Sequence, residues 1–152
     1  MDLNEMIANI EKHIVNKGDF KDIGYLLECY NCEDWLSYID TNTSGISKNT
    51  AYLSFNIEVI IISWSGDYET LPHNHASNGC WLKLLSGELV ETLYNNNQIE
   101  EVGSKNISSN QISFMHNDFG YHSIKNKLNS NCYSLHIYSP PKHKTTYFQK
   151  LN

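Results

Sequence analysis

The chain has 152 residues, 40% hydrophobic and 18% charged, which suits one globular domain with a real core and excludes a disordered chain. A formal net charge of -6 and a pI near 5.6 argue against a nucleic-acid partner and against an anionic membrane surface. No apolar run approaches membrane-spanning length, and Met1-Asp2-Leu3-Asn4-Glu5 lacks the regions of a signal peptide. A cytoplasmic location with four reduced cysteines is therefore expected.

The first forty residues are predicted to be helical. Leu3, Met6, Ile7, Ile10, Ile14 and Val15 recur at helical spacing, and Gly18 ends that helix. Asp19 caps a second helix carrying Phe20, Ile23, Leu26, Leu27 and Tyr30, and residues 33–39 add a short helical turn. Thr41-Asn42-Thr43-Ser44-Gly45 is a loop where the texture changes. From Ile46 onward strands and turns alternate. Strands are predicted at 58–64, 81–85, 88–94, 99–102, 111–115, 121–124, 131–139 and 145–151, with a polar hairpin tip at 95–98. Short, evenly spaced strands imply a sandwich or barrel. The organisation expected is one domain over 1–152, helical over 1–40 and β over 46–152.

His73-Asn74-His75 would put two imidazoles on one face of a strand, because side chains alternate with period two. His122, after Gly120-Tyr121, can complete a facial trio for a divalent metal. Imidazole suits iron, zinc, copper and nickel. No Asp or Glu lies between His75 and Cys80 to add a carboxylate ligand, so the trio leaves the metal its full charge. Such a centre favours an anionic ligand such as a thiolate. Histidines that merely pack inside a barrel are the lesser reading, given the pair and a third. A closed structural metal site would want four ligands, usually with cysteines.

In Ser134-Leu135-His136-Ile137-Tyr138, the polar side chains Ser134, His136 and Tyr138 share one strand face. A solvent-facing stripe accounts for this equally well by itself. Combined with the histidine trio, it reads as a polar relay ending in a phenol near the metal. Cys29-Tyr30-Asn31-Cys32 has no second pair and reads as ordinary thiols; Cys132 reads as packing. His116 and His143 lack partners at ligand spacing and are expected to face solvent, and His13 lies on a helix.

Three motifs now stand in order: His73-x-His75-x4-Cys80-x6-Gly87, then Asn110-Gln111 through Gly120-x-His122-x3-Asn126, then Ser134-x-His136-x-Tyr138-Ser139-Pro140-Pro141. Over about residues 49–141 they resemble cysteine dioxygenase of the cupin superfamily. The resemblance implies a mainly β fold, a cupin (jelly-roll-like) β-barrel preceded by a short N-terminal helical segment. It implies one Fe(II) on His73, His75 and His122, and oxidation of L-cysteine by dioxygen to cysteine sulfinate in a monomeric enzyme. It also implies Tyr138 as the active-site tyrosine with His136 and Ser134 behind it, a thioether crosslink between Cys80 and Tyr138, and a cis Ser139–Pro140 bond.

One departure bears on substrate. The chain contains no arginine; all 11 basic residues are lysine. Aligning Lys48-Asn49 with the family's Arg-Asn puts Lys48 at the substrate carboxylate, with Ile46 where the family has tyrosine. Lysine keeps the charge but not the bidentate fork. A solvated surface lysine remains the alternative for Lys48. The same chemistry on another small thiol acid, such as mercaptopropionate, and a non-catalytic metal-binding cupin remain alternatives for the function.

Overall fold

In the computed structural model, which describes residues 1–97 and 99–150, helices come first and eight strands follow. Helix α1 (Leu3–Val15) buries Leu3, Met6, Ile7 and Ile10, and the Asp2 carboxylate caps it by accepting from the Glu5 N–H at 2.8 Å. Helix α1 ends at Val15, with Asn16 as its C-cap and Lys17 in the left-handed region, so it stops short of Gly18. The predicted second helix divides into a 3-10 turn (Phe20–Ile23) and a short helix α2 (Gly24–Cys29). A second 3-10 turn (Asp34–Tyr38) falls within the helical turn expected at 33–39.

Strands β1 (Ile46–Leu53), β2 (Glu58–Trp64), β3 (Gly79–Ser86), β4 (Glu88–Tyr94), β5 (Glu101–Ser108), β6 (Ile112–Met115), β7 (Tyr121–Asn126) and β8 (Cys132–Ser139) form two antiparallel sheets. One has the order β1-β2-β8-β3-β6 and the other β5-β4-β7. Ile62, Trp64, Leu82 and Leu84 of the first sheet pack with Leu89, Ile107 and Ile124 of the second. The jelly-roll-like architecture is present, but the sheets are not closed into the expected barrel. The β2–β3 loop meets β7 by isolated bridges, Glu69 with Lys125 and His73 with His122, and by side-chain hydrogen bonds of Thr70 with the Ile124 N–H and of Asn126 with the Ser65 carbonyl.

The other face of the five-stranded sheet carries the helices. Val59, Ile61, Leu135 and Ile137 join Met6, Ile10, Ile23 and Leu27 in one apolar cluster. Burial on both faces explains why β2 is an unbroken apolar run, where a half-exposed strand would alternate. Two β3 side chains pin the helical segment. The Trp81 indole donates to the Phe20 carbonyl at 3.0 Å, and the buried Lys83 ammonium donates to the carbonyls of Leu27 and Tyr30 at 2.7 and 2.5 Å. Lys83 thus adds a donor to the Leu27 carbonyl, which also accepts from the Tyr30 N–H at 3.2 Å, and to the Tyr30 carbonyl just past α2.

Two strand predictions were corrected. β5 continues to Ser108, well past residue 102, because Gly103, Ser104, Lys105 and Asn106 lie on an exposed edge where apolar periodicity gives no signal. The segment after Pro141 is not a strand among its described residues; only Tyr147 forms a bridge, with His73. Gln98 of the predicted hairpin tip and Leu151 of the predicted last strand lie outside the described residues, as does Asn152. Ser139–Pro140 is cis. Among the described residues no helix is long and apolar enough to cross a membrane.

Gly120, just before β7, has φ of 110°, and a Cβ there would fall 2.1 Å from the Tyr94 carbonyl oxygen. Gly120→Ala is expected to lower stability by about 3 kcal/mol through backbone strain and this clash, read as a fall in the urea midpoint at unchanged slope.

Candidate metal centre

His73 and His75 lie on the β2–β3 loop and not on a strand as predicted. Their extended path is imposed by neighbours. The His73 N–H donates to the His122 carbonyl at 3.0 Å. The Asn117 side chain grips the His75 backbone from both sides, accepting from its N–H and donating to its carbonyl, each at 2.8 Å. A side-chain amide here does the work of a neighbouring strand. The rings converge, with centroids 5.3 Å (His73–His75), 4.7 Å (His73–His122) and 4.4 Å (His75–His122) apart. One ligand-type atom of each lies within 4.8 Å of the others.

Hydrogen bonds fix which nitrogen faces inward. His73 Nδ1 meets the Leu71 carbonyl at 2.9 Å, and His122 Nδ1 meets the Glu91 carboxylate at 2.7 Å. Both partners only accept, so both Nδ1 atoms donate and both neutral rings present an Nε2 lone pair. His75 Nε2 stands 2.9 Å from His122 Nε2. Two metal–nitrogen bonds of about 2.1 Å at right angles would put their nitrogens about 3.0 Å apart, so this pair fits one ion. Burial, then the neighbouring imidazoles, draw His73 down to about 3 and His75 well below its ordinary value, which keeps those rings neutral and able to ligate.

Beside the trio runs a hydrogen-bonded relay. The Trp64 indole N–H, which can only donate, meets Ser134 Oγ at 2.8 Å. Ser134 then donates to His136 Nε2 at 2.9 Å, leaving the proton of the neutral ring on Nδ1, which points at Cys80 Sγ 3.8 Å away. Ser134 and His136 are buried, so β8's polar face is an interior relay and not a solvent stripe. Cys80 is opposite Tyr138 in the β3–β8 register. Burial pushes the Cys80 thiol and Tyr138 phenol up, and contact with the thiol raises the phenol further, so both groups stay protonated.

Lys48, on β1, is an exposed residue overall, but desolvation of its ammonium draws its pKa down, and its charge acts on His73, His136 and Cys80. The ammonium has no hydrogen bond or ion pair among the described residues. It borders a cavity of about 20 Å³, lined also by Trp64, His73, His136, Tyr138, Thr145 and Tyr147, with room for about one water molecule. Lys48, Tyr138 and Thr145 also line an adjoining depression of about 210 Å³. A larger groove of about 560 Å³, between Asp19, Phe20, Asn78 and His116, does not touch the trio.

Four participants were not expected from sequence. Glu91 was hidden in a strand of ordinary alternation, and Trp64 in an apolar run. The tail supplies Tyr147 and His143. Asn74 N–H donates to the Thr146 carbonyl at 3.2 Å and Phe148 N–H to the Pro72 carbonyl at 2.8 Å, which lays the tail along the histidine loop. His143 lines the depression with Lys48 and meets Asn74 Oδ1 at 3.2 Å, so it does not simply face solvent. Cys29 and Cys32 are free and exposed, and Cys132 is buried.

Residues 3–151 match the family model described as cysteine dioxygenase type I. Cysteine dioxygenase type 1 of Rattus norvegicus is 27% identical over 150 residues, covering 91% of this chain and 71% of that protein. Among solved structures, a conserved protein with a double-stranded β-helix domain from Klebsiella pneumoniae aligns with a TM-score of 0.61 at 13% identity, covering 79% of this chain and 98% of that one. A cupin superfamily protein from Desulfitobacterium hafniense gives 0.55 at 14% identity, covering 68% and 84%. These two share the fold.

Ser134→Ala would strand the Trp64 N–H inside the protein. The expected loss is about 1–3 kcal/mol of metal-free stability, measured by urea denaturation.

Proposed function

The chain belongs to the cysteine dioxygenase type I family, and on that premise we propose that it is a non-haem iron thiol dioxygenase that oxidises L-cysteine with dioxygen to cysteine sulfinate. The observation that carries the reading is the convergence of His73, His75 and His122 beside the Cys80–Tyr138 pair. Fe(II) held by the three histidines would supply an open, oxidisable centre where a thiolate and dioxygen meet. Both oxygen atoms end on sulfur, so thiol plus dioxygen balances as sulfinic acid.

The chain's own groups divide the remaining work. Lys48 is read as the partner of the substrate carboxylate, which its free ammonium at the cavity wall supports. An ammonium is a point charge, so orientation falls to the Tyr138 hydroxyl, whose proton is retained and can be donated. His136, buried and neutral, holds its N–H toward Cys80, and Ser134 holds His136. A thioether between the Cys80 sulfur and the Tyr138 ring belongs to the same reading. The tail and Trp64 enclose the cavity and limit water. A monomeric, cytoplasmic enzyme acting on a small thiol completes it.

One observation favours a second substrate. With no arginine in the chain, the amino-acid carboxylate loses its bidentate clamp. A small thiol acid without an amine, such as mercaptopropionate, presents the same carboxylate, and the Lys48 point charge, lacking the fork, does less to select the amino acid over it.

Anaerobically Fe(II)-loaded protein given L-cysteine is expected to consume oxygen and form sulfinate in equal amounts. Uptake only with mercaptopropionate would shift the substrate to the second reading, and metal-loaded protein inert to both would leave a binding cupin. Lys48→Gln should raise KM for cysteine about tenfold or more at similar kcat; an unchanged KM removes Lys48 from the substrate. Intact mass should be lower by a pair of hydrogen atoms after turnover, but not in Cys80→Ser.

A further inference from the structure

We propose that Glu91 is the positioning residue that holds His122 as a metal ligand and sets how tightly the metal is bound, with Ser113 and Lys105 holding Glu91 in turn. This rests on reading the three histidines as the metal centre. Glu91, on β4, is buried. Its neighbour Leu93 is directly opposite His122 in the β4–β7 register, so Glu91 reaches His122 diagonally, 2.7 Å from Oε1 to Nδ1. The second oxygen, Oε2, accepts from Ser113 Oγ of β6 at 2.7 Å and forms an ion pair with Lys105 Nζ of β5 at 3.1 Å. Strands from both sheets thus meet on one carboxylate, and both of its oxygens are engaged.

That arrangement has a chemical consequence. A carboxylate cannot donate, so His122 Nδ1 must carry the proton and Nε2 must offer its lone pair inward. The negative charge behind the ring also makes Nε2 a stronger donor. The three histidines differ here. His73 has only neutral groups behind it, the Leu71 carbonyl at 2.9 Å and the Thr70 hydroxyl at 3.5 Å, and among the described residues His75 Nδ1 has no hydrogen-bond partner. Among the described residues, Glu91 is therefore the one anion that acts on the trio through a ligand's far nitrogen. It does not line the cavity that Lys48, Tyr138, Trp64 and His136 share.

Glu91→Gln is a sharp probe because of what surrounds it. Ser113 donates to the second oxygen and the Lys105 ammonium pairs with it, so the amide carbonyl turns to them and the amide NH₂ turns to His122. An NH₂ at Nδ1 demands a lone pair there and moves the ring proton to Nε2, the nitrogen the metal needs.

The test uses the full chain, stripped of metal and titrated with Co(II) against a chromophoric chelator, with the visible Co(II) spectrum recorded. Glu91→Gln should weaken Co(II) binding about 10- to 100-fold and alter the spectrum. Lys105→Met, at a largely exposed ammonium, should fold normally and weaken binding about two- to fivefold. Urea denaturation of the metal-free variants separates this from a structural ion pair, which would lower stability and leave affinity and spectrum unchanged. Wild-type affinity in folded Glu91→Gln overturns the inference. If Glu91→Gln does not fold, unchanged affinity in Lys105→Met overturns it. Wild-type protein that binds no Co(II) overturns the inference and the metal-centre reading together; wild-type binding with an unaffected Glu91→Gln overturns the inference alone.

Discussion

Strand β8 runs between β2 and β3 with helices on one face and the second sheet on the other, so no side chain it turns inward can reach bulk water. Leu135 and Ile137 meet the helices and need only to pack. Ser134 and His136 face the space between the sheets, where an unpaired polar group is costly, and each must find a partner there. The partners come from the adjacent strands, Trp64 from β2 and Cys80 from β3. The relay is therefore the form in which a polar strand face can be buried at all. Its far end comes to rest beside the histidine trio because β7 and the β2–β3 loop close over the same space.

The trio depends on a different device. A regular strand would have aligned His73 and His75 through its own ladder. The loop that carries them borrows its pairing from His122, from the tail and from the Asn117 side chain. The loop backbone can therefore bend between β2 and β3 while its two rings keep a common direction. Cluster and relay are held from separate sides, one by Glu91 and the loop contacts, the other by β2, β3 and β8.

What the sequence made legible follows from this division. His73, His75 and His122 stand out because imidazoles at short spacing have few other uses. The alternation in β8 is visible because its two faces differ in chemistry. The helical segment is legible from periodicity, though not its break after Ile23, where Gly24 lies so close to the Trp81 ring that a Cβ would fall 2.6 Å from it. β5 was cut short because an exposed edge carries no apolar period. Glu91 and Lys83 were invisible for the opposite reason: a charged residue within a strand suggests a solvent-facing position, and only the fold shows that both are buried with partners. The open sheets, in place of a closed barrel, depend on which strand edges meet, and no single strand encodes that.

Asparagine side chains take the place of backbone at several joints of this protein. Asn117 clasps the His75 peptide from both sides, and the Asn126 amide nitrogen donates to the carbonyls of Trp64, Ser65 and Ser130. Such joints have a chemical lifetime, because an asparagine side chain hydrolyses slowly to a carboxylate. A deamidated Asn117 would still accept from the His75 N–H. It would also set a negative oxygen against the His75 carbonyl, where a donor had been. The loop that presents two of the three imidazoles would then be pushed from one side by the residue that had clasped it, so chemical ageing at one side chain reaches the centre of the molecule without touching any imidazole.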